Sequence, residues 1–228
     1  MKKLSYQDYL DGTGEILKES QKEAGEYITT VAGREFIVLP NVFSPKYFND
    51  TEAFAQNLPV TKGEVMLEIG PGTGAISITA AYKGASHILA IDINPSAVEN
   101  TRRNIALHHM EDRVEVREGD LYGALKEGEK FDVIFWNTPF GFVPEDQNVS
   151  ALERAVYDPG YKATERFVLE SRKYLKPGGR VYIGYGSTQG RMDLIEKFVK
   201  EAGYSMRLIY QTDSVEKHPV SFEIFELK

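Results

Sequence analysis

The sequence predicts an α/β protein with a seven-stranded, mostly parallel sheet and an antiparallel last strand. Helices cover both faces, and a short, mainly helical extension precedes the sheet. Three observations predict it. From residue 65 onward, short apolar runs alternate with amphipathic helical patterns, and parallel sheets built this way are covered on both faces. A glycine-rich stretch, Gly70-Pro71-Gly72-Thr73-Gly74, joins the first of these runs to an apolar helical pattern. The last two runs are separated only by residues 212–220, too few for a helical crossover, so they pair as antiparallel neighbours.

Residues 1–62 form the predicted extension and 63–228 the main domain. In the first thirty residues Leu10, Ile16, Leu17 and Tyr27 are loosely spaced among polar residues. This suits one or two amphipathic helices, interrupted at Gly12 and Gly14. Arg34 to Pro40 reads as a short strand stopped by proline, and Asn41 to Pro45 as a connecting turn. Asp50-Thr51-Glu52 then starts a helix with Phe54, Ala55 and Leu58 facing inward. Strands follow at Val65–Ile69, His87–Asp92, Val114–Glu118, Asp132–Trp136, Arg180–Tyr185, Ser205–Gln211 and Ser221–Leu227. Helices fall at Ala75–Tyr82, Pro95–His108, Thr164–Tyr174 and Arg191–Ala202. Asn94-Pro95 supplies a capping side chain and a proline at the first helical position. Lys176-Pro177-Gly178-Gly179 is a stop before a strand.

The bulk properties exclude several classes. The chain has 228 residues, 42% of them hydrophobic, enough for a full core. No apolar run reaches membrane-spanning length, and Met1 to Asp8 lacks the apolar stretch of a signal peptide. With no cysteine there is no disulfide, thiolate metal site or thiol nucleophile, and a cytoplasmic location is the expectation. The net charge of −7 argues against a general nucleic-acid clamp, though a local basic patch is compatible with it. The four histidines show no ligand spacing, so no metal is expected. Tyr182, Tyr185 and Tyr210 read as core or rim, and Lys176 and Arg180 as solvated.

The glycine turn marks a strand, a tight turn and a helix N-terminus, which offers free N–H groups and a positive dipole end. Gly70-x-Gly72-x-x-Ala75 fits the dinucleotide fingerprint. Glu68-x-Gly70-x-Gly72-x-Gly74 equally fits the acidic variant found with S-adenosylmethionine. Asp92, at the end of the next strand, can accept both hydroxyls of a ribose in either case. Asp120 follows the third strand in Glu118-Gly119-Asp120-Leu121, which is also a common turn composition. The fourth strand, Phe131 to Trp136, ends in Asn137-Thr138-Pro139-Phe140.

That last tetrapeptide resembles the Asn-Pro-Pro-Tyr/Phe motif of methyltransferases that modify planar nitrogens, with the other motifs in the expected order. The chain thus resembles class I S-adenosylmethionine-dependent methyltransferases, whose sheet is Rossmann-like. The segment from Phe36 to Glu52 is similar to its counterpart in the small-domain group, which includes the glutamine N5-methyltransferases of release factors and rRNA and tRNA base methyltransferases.

The resemblance implies S-adenosyl-L-methionine as cofactor, released as S-adenosyl-L-homocysteine. Its contacts would be Glu68, Gly70, Pro71, Gly72, Thr73, Gly74, Asp92, Ile93, Asp120, Leu121 and Asn137, with Asp120 meeting the adenine amino group. Phe43, Pro45 and Thr51 would border the pocket. Asn137, Pro139 and Phe140 would form the catalytic loop. An amide or nucleobase nitrogen is a poor nucleophile because its lone pair is delocalised. The Asn137 side-chain oxygen and the Thr138 carbonyl would accept its two hydrogens while the Phe140 ring stacks on its plane, so positioning and dipoles supply the effect. Thr138 stands where the motif has proline, which predicts a looser loop. The implied acceptor is a protein glutamine or a nucleobase. A small metabolite is the alternative within the fold, and an NAD(P)-dependent oxidoreductase the alternative outside it.

Overall fold

A computed structural model describes residues 5–213 and 221–228. The chain opens with helix α1 (Tyr6–Ser20) and a hairpin of β1 (Tyr27–Val31) and β2 (Arg34–Val38), followed by α2 (Asp50–Asn57). The main unit then runs β3 (Val65–Ile69), α3 (Ala75–Tyr82), β4 (His87–Asp92), α4 (Pro95–Leu107), β5 (Val114–Glu118) and β6 (Phe131–Asn137). A short parallel pair, β7 (Gly141–Val143) and β8 (Tyr157–Pro159), leads to α5 (Lys162–Ser171). Last come β9 (Leu175–Tyr185), α6 (Met192–Glu201), β10 (Met206–Asp213) and β11 (Ser221–Leu227).

The seven-stranded sheet has the order β10-β11-β9-β6-β3-β4-β5. Only β11 runs against its neighbours, inserted between β9 and β10. The predicted fold class is therefore the observed one. Successive strand residues alternate between faces. Met66, Ile88 and Val133 pack beneath α2, α3 and the hairpin. Leu67, Leu89 and Ile134 pack against α5 and α6. Helix α3 is nearly all buried because it lies on the sheet between α2 and α4.

Five expectations are corrected. Gly12 and Gly14 do not interrupt a helix: α1 is continuous, started by a reciprocal Ser5–Asp8 capping box. A side chain at Gly14 would lie 2.8 Å from the Tyr157 hydroxyl, so this glycine permits a close approach rather than a break. The strand at Tyr27–Val31 was not read from the sequence, because its polar threonines gave no apolar run. Helix α5 gives way to a tight turn at Arg172–Tyr174. Lys176 to Gly179 do not precede a strand but bulge within β9, where Phe131 pairs with Leu175 and Val133 already with Arg180. Lys176 and Arg180 are not simply solvated: Lys176 meets Asp132 at 2.7 Å, and Arg180 pairs with Glu64. The segment predicted to link the last two strands, with His218, lies largely outside the described residues.

The hairpin is bound to the sheet through α4. Asn104 on α4 accepts from the Ile37 amide at 2.8 Å and donates to the carbonyls of Ile37 and Thr73. One turn earlier, Asn100 accepts from Leu39 and donates to Ile37. Residues four apart share a helix face, so two asparagines pair with the outer edge of β2 as a strand would. Through Thr73 the same helix grips the glycine turn.

Candidate functional site

A cleft lies at the carboxyl ends of β3, β4 and β6, where open parallel sheets hold ligands because crossovers leave the strands in opposite directions. Counted out to its open mouth, its space is about 1070 Å³. Of the predicted cofactor contacts, Glu68, Gly70, Pro71, Gly72, Thr73, Asp92, Ile93, Asp120, Leu121 and Asn137 all line it, as do Pro139 and the flanking Phe43, Pro45 and Thr51. Gly74 does not.

All three turn glycines take positive φ, +63° at Gly70, +57° at Gly72 and +79° at Gly74. At Gly72 an added Cβ would meet nothing within 4 Å, so this face opens to the cleft. At Gly74 it would lie 2.9 Å from the Thr101 side chain on α4. Gly74 is therefore needed for helix-to-helix approach at the start of α3 rather than for ligand contact. Thr101 in turn donates to the Gly72 carbonyl at 3.0 Å, tying the turn to α4.

Glu68 is only 1% exposed and accepts a short hydrogen bond from the Ser77 hydroxyl on α3. Burial pushes its pKa up to about 7, against the lowering effect of that hydrogen bond. Asp92 is 8% exposed. One of its oxygens accepts from the Gly72 amide at 3.1 Å and the other from the Asn94 amide at 2.9 Å. Burial still outweighs these donors and raises its pKa to about 6. The Ile93 amide also acts on this carboxylate and lowers its pKa. Asp120 sits at the rim with its carboxylate paired to Arg166 at 2.7 Å. Ile93 is 45% exposed, an apolar surface at the cleft lip.

The tetrapeptide Asn137 to Phe140 is a partition. Asn137 and Pro139 face the cleft, while Thr138 and Phe140 face a second cavity. This is the alternation of extended chain. Phe43 and Ala155 border both spaces. The Asn137 amide donates to Asp50 at 2.7 Å, while its Oδ1 is buried with no hydrogen-bond partner.

The expected looseness at Thr138 is not found. Its amide and hydroxyl both donate to the Gly184 carbonyl, at 3.1 and 3.0 Å. Behind the loop, the Tyr161 hydroxyl donates a short bond to the Phe140 carbonyl and lies 2.9 Å from the Tyr185 hydroxyl. Phe140 packs edge-on against Tyr185.

Sequence reasoning missed three contributors. Trp136 lines the cleft, and its Nε1 would lie 3.0 Å from a Cβ on Gly70. It reads in sequence only as one more apolar residue of a strand. Asp50 reads only as a helix start. The cleft wall from Ala151 to Asp158 has no periodicity to betray it. Within that wall Asp158 accepts from the Thr164 amide and hydroxyl and so caps α5 from a distance. Among the described residues no cluster has metal-binding geometry, and no helix is long and apolar enough to cross a membrane.

Residues 33–207 match the family model of the methyltransferase small domain. The chain is 34% identical over 184 residues to a putative protein N5-glutamine methyltransferase of Methanocaldococcus jannaschii, covering 79% of this chain and 90% of that one. It is 31% identical over 179 residues to a release factor glutamine methyltransferase of Aquifex aeolicus, covering 72% of this chain and 63% of that longer one. Its fold is shared with the crystal structure of the M. jannaschii tRNA m1G37 methyltransferase, at a TM-score of 0.62 and 20% identity, over 90% of this chain and 58% of that one.

Proposed function

The chain belongs to the methyltransferase small-domain family and is an S-adenosyl-L-methionine-dependent methyltransferase; on that premise we propose that its acceptor is a planar amide nitrogen held at Asn137–Phe140. The oxidoreductase alternative is set aside by the family membership. One observation carries the proposal: Asn137 Oδ1 is a buried acceptor without a partner. A buried polar atom left unsatisfied is costly, and this one borders the cofactor cleft with its amide turned by Asp50. A nitrogen with a hydrogen to give would satisfy it.

The residues present fit the cofactor. Asp92 offers its carboxylate to ribose hydroxyls, Ile93 and Leu121 offer apolar surface for adenine, and Asp120 stands at that end. Glu68 places a carboxylate deep under the turn, where a ligand ammonium would favour its ionised form. When bound, the cofactor supplies a methyl group on a sulfonium, with a neutral thioether as leaving group. Asn137 Oδ1 and the Thr138 carbonyl would hold the acceptor's N–H hydrogens, and Phe140 would flank its plane. The nitrogen would take the methyl as the S–C bond breaks and would lose one proton to solvent. Loop rigidity from Gly184 and Tyr161 makes the positioning effective.

For the acceptor we favour a protein glutamine, on the names of the relatives that share most of this chain. The release-factor enzymes are longer, so the whole of their activity is not carried over. A small-molecule amide is the second reading, supported by the second cavity beside Phe140. The segment 1–62 serves in this reading as the cover of both spaces. A chain without cysteine draws nothing from an oxidising compartment, and we place the reaction in the cytoplasm.

The test is Asn137→Ala with labelled cofactor and glutamine-bearing peptides. Loss of one oriented dipole in a dry site should cut turnover by about 10²- to 10³-fold. Affinity for S-adenosylhomocysteine should change little. Full turnover in this variant refutes the role of Asn137, methyl transfer to serine peptides in preference to glutamine refutes the acceptor class, and transfer to asparagine peptides in preference to glutamine refutes glutamine as the acceptor.

A further inference from the structure

The Asp120 carboxylate at the cleft rim is held by a helix that also lines the cleft. After β5 the backbone is closely held. The Gly119 amide donates to the Asp92 carbonyl at 2.9 Å, and a Cβ on Gly119 would lie 2.5 Å from the Ala124 side chain. The Gly123 amide donates to the Asp120 carbonyl at 2.9 Å, closing the tight turn Leu121–Ala124. Tyr122 docks this turn on α5. Its ring lies nearly parallel to that of Phe167 at 6.0 Å, and its hydroxyl donates to the Phe167 carbonyl at 2.8 Å.

Arg166 precedes Phe167 in the chain, so the docking sets it opposite Asp120. Its Nη1 donates to Asp120 Oδ2 at 2.7 Å, and its Nε lies 3.7 Å from Glu170, one turn further along α5. Ala163, one turn earlier on the same face, lines the cleft. The side chains of the pair are 50% exposed at Asp120 and 46% at Arg166. An ion pair this open adds little to stability, so its consequence is geometric. With the backbone held, the freedom left to Asp120 is rotation of its side chain, and a hydrogen bond to Oδ2 restricts that rotation. Oδ1 is then the oxygen not committed to Arg166.

We propose that Arg166 is a positioning residue for the cofactor, holding the Asp120 carboxylate in the orientation that accepts from the adenine amino group and so setting a preference for adenine over a 6-oxopurine. This rests on the reading of Asp120 as the adenine contact. A 6-oxopurine carries a carbonyl where adenine carries its amino group, and a carbonyl has no hydrogen to give a carboxylate. Arg166 acts through Asp120, and Glu170 steadies the guanidinium from its other side.

The test uses the full chain and two ligands, S-adenosylhomocysteine and its deaminated 6-oxo analogue, with binding read by calorimetry. The natural protein should prefer the adenine form by about tenfold or more, as expected for a hydrogen bond to a charged group. Arg166→Ala should weaken S-adenosylhomocysteine by about three- to fivefold, the upper range for an exposed ion pair, and the 6-oxo analogue by less, so that the preference falls. In an Asp120→Ala background the same substitution should cost nothing further, because the two residues act as one unit. Arg166→Glu sets a like charge beside Asp120 and should lower the preference at least as far, so the outcome does not hang on one variant. Unchanged S-adenosylhomocysteine affinity in Arg166→Ala, equal weakening of both ligands, losses that add in the double variant, or a preference kept in Arg166→Glu would each overturn the positioning role. If Asp120→Ala itself leaves the preference unchanged, the adenine contact is refuted and the positioning role falls with it.

Discussion

Glu68→Gln tests the electrostatics of the glycine turn directly. The Glu68 carboxyl is buried between β3 and α3, and desolvation lifts its pKa from 4.5 to about 7. A group whose folded value is raised holds its proton more tightly in the folded state. Its contribution to stability is therefore fully present below pH 4.5 and is lost as pH rises through 7. That span, at about 1.36 kcal/mol per pH unit, gives an upper figure of about 3 kcal/mol for keeping the anion buried at pH 8. Glutamine has the same shape and can accept from Ser77 without the charge. At about 2–4 °C per kcal/mol for a chain of this size, the ligand-free variant should melt up to about 6–12 °C above the natural protein at pH 8, and the gap should close near pH 5. If Glu68 meets the cofactor's ammonium as proposed, the variant should bind S-adenosylmethionine more weakly. Thermal melts from pH 5 to 8.5, with and without S-adenosylhomocysteine, give the answer. A gap that does not vary with pH, or that widens toward acid, refutes the buried-anion account.

Asp92→Ala should weaken S-adenosylmethionine binding by about 10- to 100-fold in calorimetry, the loss of a charged hydrogen-bond partner; unchanged affinity removes its ribose role. Gly74→Ala forces a side chain into φ +79° and against Thr101, so chemical denaturation should show a loss of about 1–3 kcal/mol. Asp50→Ala frees the Asn137 amide to rotate and should lower kcat with little effect on S-adenosylhomocysteine affinity. An equal loss in both would mark Asp50 as merely structural.

The sheet was legible because its signals are local and redundant. Val65–Ile69 and His87–Asp92 are apolar runs ended by turn residues, and Asn94-Pro95 starts α4 as its chemistry requires, with the side chain accepting from the Ser96 amide. The lining of the cleft was legible for the same reason, since most of the residues expected there sit at strand ends. The lining of the second cavity was not. Its walls come from α1, α2 and the stretch before α5, joined by contacts far apart in sequence such as Tyr6 to Phe142. Asn100 and Asn104 look like ordinary polar positions on an exposed helix face. Only the position of β2 shows that they bind its backbone. Gly14 was misread for a related reason, because a glycine that admits Tyr157 cannot be told from one that breaks a helix without knowing what approaches it.

Thr138 shows how a departure from a motif can leave its geometry intact. A proline there would restrict the backbone by its own ring and could not donate a hydrogen bond. Threonine is freer in φ but donates twice to the Gly184 carbonyl on the neighbouring strand. Each such bond contributes about 0.5–1.5 kcal/mol, comparable to the conformational freedom of one residue, about 1–2 kcal/mol. The restriction is thus supplied by the sheet instead of by the ring, and Tyr161 adds a second anchor at the Phe140 carbonyl. With both ends fixed, Asn137 is free to present only its unpartnered oxygen, the amide being committed to Asp50. The partition between the two cavities therefore keeps Asn137 Oδ1 oriented as an acceptor in spite of the changed residue, and it is this orientation, rather than the spelling of the motif, that the proposed planar-nitrogen chemistry rests on.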